Sequence, residues 1–458
     1  MTTAPPIPPQ PPQPRRKSPK GRHAGPQRPD ASLTMLPYAE ALERVLAHCA
    51  ALPEEAVAFD AATGRVLARD LAAGADEPPA AKSAMDGFAL RAADTRAASP
   101  AAPAKFTFAD VLGAGHVHAA PVPPGGAVRI MTGALLPPGA DAVAKQEDTQ
   151  PLGAGRFAVT APLAPEENVV PRGAILRAGQ ALLRAGQPIS PQGLGLLAGQ
   201  GLAHTPVHRR PRVGLLSLGD ELVEPGRPLA PGQLYVSNLY TLEALCRRYG
   251  AEPRRLGIVG DDPQRIEALL RGALPGAAPG GGTAVEAAAS EAAPCDVVVT
   301  LGGSHQGDFD FADDVLARLG AQLHFRRTRI NMGGSTLFAT LGATLCFGLP
   351  GTPMASWLAF ELLVRPALWK LAGRARLERP RQQARLAQDF QARPDRTHFI
   401  PARLDFAPAG APRVTPLARG NPMALPASVL ANALIHWPAE VDALPAESPV
   451  AVELLGDE

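Results

Sequence analysis

The sequence predicts a multidomain α/β plus β protein that contains an α/β domain with a mainly parallel sheet. The first observation is that short strand patterns and helix patterns alternate from Pro211 onward, which is typical of a sheet covered on both faces. The second is an all-β texture between Val57 and about Leu163, where Gly and Pro interrupt short strands. The third is length, because 458 residues with 46% hydrophobic composition suffice for several domains.

The composition excludes several classes of protein. The chain has 45 Lys and Arg residues and 43 Asp and Glu residues, so its net charge is close to zero. This balance does not favour nucleic acid or an anionic membrane as a partner, and we expect a small-molecule ligand. No apolar run approaches the roughly 18 residues that a membrane helix needs. Four cysteines without C-x-x-C spacing argue against a zinc knuckle or a disulfide framework, and they favour a cytoplasmic location.

The chain begins with a predicted tail and a predicted helix. Residues 1–32 combine PPIPPQPPQP with RRKSPKGR, and this Pro/Arg-rich composition predicts a disordered tail. Apolar residues at helical spacing in LPYAEALERVLAHC predict a helix, with Thr34 as N-cap and Pro37 in the first turn. After the all-β region, SPQGLGLLAGQ predicts a short helix.

The α/β region is predicted from its alternating patterns. The strand patterns are VGLLSL, RRLGIV, CDVVVTL, LHFRRTRI and TLCFGLP. Between them, Ser237 and Asp262 are the predicted N-caps of two helices, and Pro263 takes the first helical position of the second. Residues 272–294 are so rich in Ala, Gly and Pro that they predict a flexible insertion. Beyond about Gly373, shorter strands predict a small terminal β domain.

Carboxylates follow several of these strands at the point where each strand ends. They are Asp220 and Glu221, Asp261 and Asp262, and Asp308 and Asp310. Because the carboxyl ends of parallel strands share one edge, and the GGSHQG loop can present N–H groups to phosphate, we predict a divalent cation bridging a phosphorylated ligand. The alternative for each Asp is a helix cap. For His305 in the loop, the alternatives are a metal ligand or base, and an exposed residue with neither role.

Two motifs of the all-β region predict turns, and the spacing of their residues does not by itself indicate a catalytic role. KSAMDGFAL contains Asp86 before Gly87, and MTGALLPPGADAV contains Thr132 before Gly133. Such dipeptides are typical of turns, because glycine takes positive φ without steric cost.

Seven segments between Leu36 and Arg374 form a specific ordered set. They are EPPAAKSAMDGFAL, PPGGAVRIMTGALLPPGADAV, PRVGLLSLGDELVEPGRPL, GQLYVSNLYTLEAL, GIVGDDPQRI, VVVTLGGSHQGDFDF and FGLPGTPMAS. In this order they resemble the MoeA family, which includes the E domain of gephyrin. The resemblance implies a molybdopterin molybdenumtransferase of molybdenum cofactor biosynthesis. Its substrates would be molybdate and adenylylated molybdopterin, with Mg²⁺ as cofactor and AMP released.

The resemblance also implies a domain organisation. A helical connecting domain would comprise 33–56 and 164–206, with an inserted β domain at 57–163 between its two segments. The α/β molybdopterin-binding domain would span 207–372, and a C-terminal small β domain 373–458. The family further implies an elongated homodimer with an active-site cleft built from both chains, and contact with other cofactor-biosynthesis proteins.

Family positions carried over by the resemblance fall into three groups. The catalytic group is Asp86, Thr132, Glu221 and Asp310. The substrate-binding group is Gly302, Gly303, His305, Arg326, Arg327, Pro350, Pro353 and Ser356. The metal-binding group is Asp220, Glu221, Asp261, Asp262, Asp308 and Asp310.

The chain also departs from the family pattern. Leu218 replaces a hydroxyl residue, His305 takes the place of a serine, and Thr352 that of an asparagine. The family's Lys-Pro-Gly-Lys-Pro segment is NMGGS here, Asn331 to Ser335, which carries no cation. Two interpretations follow: an active enzyme with a substituted anion site, or a catalytically impaired paralogue that binds molybdopterin as carrier or assembly scaffold. If the lost lysines limit turnover, replacing NMGGS with KPGKP should raise it.

Overall fold

The computed structural model describes most of the chain. The described ranges are 35–275, 293–302, 311–392, 396–406, 410–417, 425–437 and 439–456. The predicted tail and most of the predicted 272–294 insertion lie outside them, as do Thr34, Gly303, His305, Asp308 and Asp310. Within these ranges, no helix has the length and apolar character needed to cross a membrane.

The first helix starts later than the sequence predicts. Helix α1 (Tyr38–Ala47) begins after Pro37, which takes the N-cap position with a non-helical ψ of 148°. The prediction of Pro37 in the first turn was therefore wrong. The reason is long-range: the Leu36 N–H donates to the Arg327 carbonyl at 3.0 Å, and this pairing keeps the backbone extended.

Three short strands lead into a six-stranded β-sheet. They are β1 (Glu54–Ala58), β2 (Leu71–Ala72) and β3 (Lys82–Ser83). The sheet contains β4 (Gly87–Leu90), β5 (Ala104–Leu112), β6 (Gly126–Ile130), β7 (Ala142–Lys145), β8 (Thr149–Gly153) and β9 (Arg156–Val159), in the order β7-β4-β6-β5-β9-β8. Its core stacks Phe88 and Phe106 against Phe157. Short 3₁₀ turns lie at Phe59–Ala61, Ala92–Thr95 and Gln146–Asp148.

The chain then returns to pair with its first three strands. The returning elements are β10 (Val169–Val170), β11 (Ala181–Leu183), helix α2 (Pro191–Gly199) and β12 (His204–His208). β10 pairs with β3, β11 with β2 and β12 with β1, all antiparallel. The short α2 helix is confirmed, and the Ser190 hydroxyl caps it by accepting from the Gly193 N–H at 3.0 Å.

A six-stranded, mainly parallel sheet forms the α/β part. Its elements are β13 (Arg212–Leu218), β14 (Leu222–Val223), β15 (Leu234–Tyr235), α3 (Ser237–Arg248), β16 (Glu252–Val259), α4 (Pro263–Ala273), β17 (Val297–Leu301), α5 (Phe311–Arg318), β18 (Gln322–Phe325), β19 (Leu337–Leu341) and β20 (Thr344–Leu349). The order is β16-β13-β17-β20-β19-β18. The first four strands run parallel, and β19 and β18 run antiparallel to their neighbours.

Local signals within this sheet were predicted with mixed success. Asp262 caps α4 as predicted, and its carboxylate accepts from the Gln264 and Arg265 N–H groups. Ser237 is instead the first helical residue of α3, with Val236 at the N-cap. Strand β19 was not predicted, and β18 ends at Phe325 rather than continuing to Ile330, because residues 327–331 pair with Leu36 and Thr397 instead.

A helical run that the sequence analysis missed follows β20. It comprises α6 (Pro353–Ala359), a π-helical turn (Phe360–Val364) and α7 (Arg365–Leu371). Its side chains are almost all buried, so the segment lacks the polar face that a helical pattern needs. Ala41 and Val45 of α1 belong to the same hydrophobic core.

The C-terminal region forms a closed β-barrel. Its elements are β21 (Arg381–Leu386), β22 (Phe390–Gln391), β23 (His398–Asp405), β24 (Arg413–Pro416), α8 (Leu425–Leu430), β25 (Ala433–Trp437), β26 (Ala443–Leu444) and β27 (Pro449–Leu454). The barrel order is β21-β24-β23-β25-β27. The predicted α/β plus β fold is therefore confirmed, whereas the boundaries of the individual domains stay predictions.

A buried ionic cluster connects the barrel to the α/β part. The Arg379 guanidinium donates to the Glu361 carboxylate at 2.6 Å, and the Tyr249 hydroxyl donates to the same carboxylate at 2.9 Å. Arg365 and Glu453 complete the cluster, at 3.8 Å from each other. The side chains of Arg379 and Glu361 are 3% and 2% exposed, so this cluster depends on complete pairing.

We predict that Glu361→Gln lowers the free energy of unfolding by about 3 kcal/mol or more, because it leaves buried guanidinium charge uncompensated. The control is Glu40→Gln, which removes an exposed ion pair with Arg44 and should change stability by less than about 1 kcal/mol. Thermal and urea unfolding of the three proteins would measure both effects. Equal loss in both variants would contradict the assigned role of the cluster.

Candidate active site

The ends of four neighbouring parallel strands meet at one edge of the α/β sheet. The Gly302 N–H, directly after β17, donates to the Leu349 carbonyl of β20 at 3.1 Å. A Cβ on Gly302 would lie 2.6 Å from the Leu218 carbonyl oxygen of β13, and Gly302 has φ +88°. Only glycine therefore allows this approach, which brings the predicted strand-end residues of β13, β17 and β20 together.

Three carboxylates crowd the ends of β13 and β16. Asp220 Oδ1 accepts from the Asp261 N–H at 3.1 Å, and a Cβ on Gly260 would lie only 2.0 Å from the same oxygen. Glu221 folds back over Gly219, where a Cβ would lie 2.5 Å from its carboxylate. Asp261 is exposed, but some desolvation of its carboxyl, together with the Asp220 and Glu221 charges, raises its pKa. Such like-charge crowding is what a bound cation would relieve.

The metal-binding set that the sequence predicts is only partly within the described residues. Asp308 and Asp310 lie outside them. Across the described ranges, no three His, Cys, Asp or Glu side chains are grouped closely enough to hold a metal ion. Asp262 serves as the helix cap that we considered as its alternative role. The donor chemistry of Asp220, Glu221 and Asp261 nevertheless fits Mg²⁺, which prefers carboxylate oxygens.

A cavity of about 210 Å³ lies beside the turn after β20, along the segment that replaces the family's lysine motif. Its lining residues are Met35, Arg327, Thr328, Ile330, Met332, Gly333, Gly334, Ser335, Pro350, Thr352, Ala355 and Arg396. We call it the anion cavity, because Arg327 and Arg396 are the charged residues in this lining and no carboxylate of the described ranges lines it. Pro350 and Thr352 come from the turn after β20, so the cavity adjoins the sheet edge.

A hydroxyl in the anion cavity also has no partner. Thr328 is 1% exposed, and its Oγ1 forms no hydrogen bond among the described residues. A buried hydroxyl without a partner costs free energy that a bound acceptor would recover. The cavity thus offers one neutral donor beside two guanidinium groups.

The backbone of the NMGGS segment is incompatible with the lysine motif. Met332 has φ +54°, whereas proline requires φ near −65°. A Cβ on Gly334 would lie 2.7 Å from the carbonyl oxygens of Ile330 and Thr328. Exchange of NMGGS for KPGKP would therefore disrupt this loop, and the expectation that it raises turnover does not fit the structure.

The other predicted substrate-binding residues take different positions. Arg326 forms an ion pair with Asp313 and does not line the anion cavity. Burial raises the pKa of the Asp313 carboxyl, and the Arg326 charge opposes this shift. Pro353 begins α6, and Ser356 is fully buried with its hydroxyl donating to the Pro353 carbonyl at 3.0 Å. Of these predicted residues, the structure brings Arg327 and Pro350 into the cavity.

Asp86 and Thr132 form a close pair on the other six-stranded sheet. The Thr132 N–H and hydroxyl both donate to Asp86 Oδ1, each at 2.7 Å. These hydrogen bonds hold the pKa of the Asp86 carboxyl below its usual value. Among the described residues, no hydrogen bond or ion pair joins this pair to the strand-end carboxylates of the α/β sheet.

Sequence analysis missed two residues at this edge. Arg396 precedes β23 of the barrel and reaches the anion cavity from a segment remote in sequence, so no local pattern marks it. Asn238, in the first turn of α3, donates from Nδ2 to the Gly351 carbonyl at 2.6 Å and fixes the turn after β20. Its signal was its place in the GQLYVSNLYTLEAL segment.

Three family models match successive parts of the chain. The MoeA N-terminal region, domains I and II, matches residues 36–201, and the MoeA C-terminal region, domain IV, matches 383–455. A model described as a probable molybdopterin binding domain matches residues 214–370. The chain belongs to the MoeA family. The predicted resemblance is confirmed.

Individual MoeA relatives extend this likeness across the chain. A molybdopterin molybdenumtransferase from Bacillus subtilis is 32% identical over 433 residues, which cover 93% of this chain and 95% of the relative. One from Nostoc sp. is 36% identical over 325 residues, 70% of each chain. The crystal structure of a molybdopterin biosynthesis MoeA protein from Pyrococcus horikosii covers 93% of this chain and 100% of its own, with a TM-score of 0.77 and 29% identity.

We predict that Asp261→Asn slightly raises stability at neutral pH, because it removes a carboxylate whose charged form is disfavoured by desolvation and by the charges of Asp220 and Glu221. The folded state disfavours the charged form of Asp261. The wild type therefore gains relative stability as the pH falls through the raised pKa, and the advantage of the variant shrinks. Thermal unfolding between neutral and acidic pH measures this, with exposed Asp148→Asn as control. An advantage that grows on acidification would refute the assignment.

Proposed function

We propose that this MoeA-family chain is a molybdopterin molybdenumtransferase that inserts molybdate into adenylylated molybdopterin and releases AMP. The observation that carries the proposal is the anion cavity at the edge of the sheet where β20 ends. Two guanidinium groups and the Thr328 hydroxyl, which has no hydrogen bond among the described residues, line it and support binding of a dianionic oxyanion. The relatives named as molybdopterin molybdenumtransferases, which match most of the chain, support the same conclusion.

Arg327 and Arg396 would supply the charge for molybdate binding. A dianion that enters a partly desolvated cavity needs paired positive charge, and NMGGS provides none. Arg327 is half-buried, and no described carboxylate pairs with it. Its planar guanidinium can donate two parallel hydrogen bonds to an oxyanion. In this proposal, arginines from the loop and from the barrel segment replace the family's loop lysines.

The strand-end carboxylates would hold Mg²⁺. Asp220, Glu221 and Asp261 are the described candidates, and Asp308 and Asp310 remain predicted members of the set. When bound, the ion would neutralise charge on the phosphate groups of the adenylate and polarise their oxygens as a Lewis acid. The GGSHQG segment stays the predicted phosphate cradle, and its residues after Gly302 lie outside the described ranges.

Asp86 and Thr132 would act from a second chain. The family resemblance implies a homodimer whose cleft takes residues from both chains, and Asp86 is a carboxylate at neutral pH because Thr132 hydrogen-bonds it. Leu229, Leu234 and Tyr235 expose large apolar surface, which supports a subunit contact there. We propose that each active site combines a strand edge from one protomer with an Asp86 pair from the other.

We propose a cytoplasmic location. Cys49, Cys246, Cys295 and Cys346 are all free and buried, and thiols persist in a reducing compartment. Contact with other cofactor-biosynthesis proteins remains an expectation from the family resemblance.

We predict that Arg327→Ala and Arg396→Ala each raise the KM for molybdate about tenfold or more, since each removes a charge-assisted contact to the oxyanion. The matched control is Arg329→Ala, an exposed arginine of the same segment that does not line the anion cavity. Steady-state assays over a range of molybdate concentrations provide the measurement. If Arg329→Ala shows the same increase, the effect is general electrostatics and the cavity assignment fails.

The chain should restore molybdoenzyme activity in a strain that lacks its molybdopterin molybdenumtransferase. Measuring the molybdoenzyme activity at low and at high external molybdate tests the anion site. A site that binds molybdate weakly would restore activity only at the high concentration. A soluble, folded chain that binds molybdopterin yet gives no rescue at either concentration would disprove the proposed activity. That outcome would favour the carrier or scaffold alternative.

A further inference from the structure

A second cavity, of about 290 Å³, lies where the N-terminal strands, α3, α7 and the barrel meet. Six arginines line it: Arg65, Arg210, Arg247, Arg248, Arg374 and Arg379. No aspartate or glutamate among the described residues lines it. We call it the arginine cavity. Its residues are distinct from those of the anion cavity.

Three of these arginines have carboxylate partners outside the cavity lining. Arg65 pairs with Glu55, Arg247 with Glu243 at 2.5 Å, and Arg379 with Glu361 at 2.6 Å. These pairs explain how several guanidinium groups can lie close together in a folded protein. None of the three glutamates is among the residues that line the cavity.

The pairs leave two guanidinium nitrogens unsatisfied. Arg210 is half-buried, its Nε forms no hydrogen bond, and no described carboxylate pairs with it. Arg379 is 4% exposed, and its Nη1 forms an ion pair with the Glu453 carboxylate at 3.7 Å but no hydrogen bond. Buried donors of this kind are normally paired.

A purely structural role for the cluster accounts for the charge of Arg379 but not for the Arg210 Nε donor, and it leaves Arg379 Nη1 without a hydrogen bond. Ion pairs that only join domains would satisfy their own nitrogens, as the Arg379 Nη2 and Glu361 pair does. Arg210 makes no such pair, so its charge gains nothing from the fold alone. An acceptor with several oxygens and negative charge would satisfy both arginines at once.

We propose that the arginine cavity binds a dianionic oxyanion, either molybdate or a phosphate group, between Arg210 and Arg379. Both sources share tetrahedral oxygens and charge, which is the chemistry that guanidinium donors recognise. Arg210 follows β12 and Arg379 precedes β21, so a bound anion would bridge the N-terminal strands and the barrel. The bridge would restrict movement of the barrel relative to the rest of the chain.

Isothermal titration of the full chain with inorganic phosphate, and separately with molybdate, tests the proposal. We expect Arg210→Gln to weaken binding about tenfold or more, because one charge-assisted contact is lost, and Arg210→Lys to weaken it less. Arg327→Ala alters the anion cavity and should leave this binding event unchanged. Arg210 has no described ion pair, so the melting temperature without anion should match the wild type.

Several results would overturn the proposal. The proposal fails if neither anion binds outside the anion cavity, or if Arg210→Gln binds both anions as tightly as the wild type. Residues 457–458, an aspartate and a glutamate, follow the cavity residue Gly456. If an anion binds only after these two residues are deleted, the arginines serve the chain's own carboxylates and not a ligand. Competition between molybdate and phosphate at the Arg210-dependent site shows which of the two anions binds more tightly there. None of these results depends on transferase activity, so the proposed function stands or falls separately.

Discussion

The arrangement of the molecule depends on the buried ion pair between Arg379 and Glu361. Glu361 lies in the helical run after the α/β sheet, and Arg379 lies at the entrance to the barrel, so their contact fixes one unit against the other. Tyr249 at the end of α3 donates to the same carboxylate, and burial raises the pKa of its hydroxyl. Because the barrel is held in this position, its segment at Thr397 pairs with residues 329–331. The same placement brings Arg396 to the anion cavity.

A second constraint on the structure is the narrow space between neighbouring strand ends at the edge of the α/β sheet. Gly302 lies against the Leu218 carbonyl, and Gly260 lies against the Asp220 carboxylate, at separations that a side chain would prevent. These approaches concentrate carboxylates at the ends of β13 and β16 and leave the turn after β20 beside the loop at 331–335. The proposed metal and anion subsites therefore share one edge of the sheet, with the carboxylates at the ends of β13 and β16 and the cavity beside the turn after β20.

The NMGGS segment shows how a family site can change its source of charge. Its positive φ at Met332 and its close contacts at Gly334 define a loop that cannot present lysines at the family positions. In the proposed function, Arg327 and Arg396 take over that task. The same guanidinium chemistry recurs in the arginine cavity, where the nitrogens left unsatisfied by carboxylates are the argument for a ligand.

The sequence by itself determined the alternating α/β region, the cap at Asp262, the short helix α2 and membership of the MoeA family, because each depends on neighbouring residues or on motifs in order. Tertiary structure alone decided that Arg326 pairs with Asp313 whereas Arg327 lines the cavity. It also decided that Leu36 pairs with residues 327–329, which delays α1 and shortens β18, and that Arg396 joins the site. These contacts join segments far apart in sequence, and their free energy appears only when the domains pack, so no local pattern contains them.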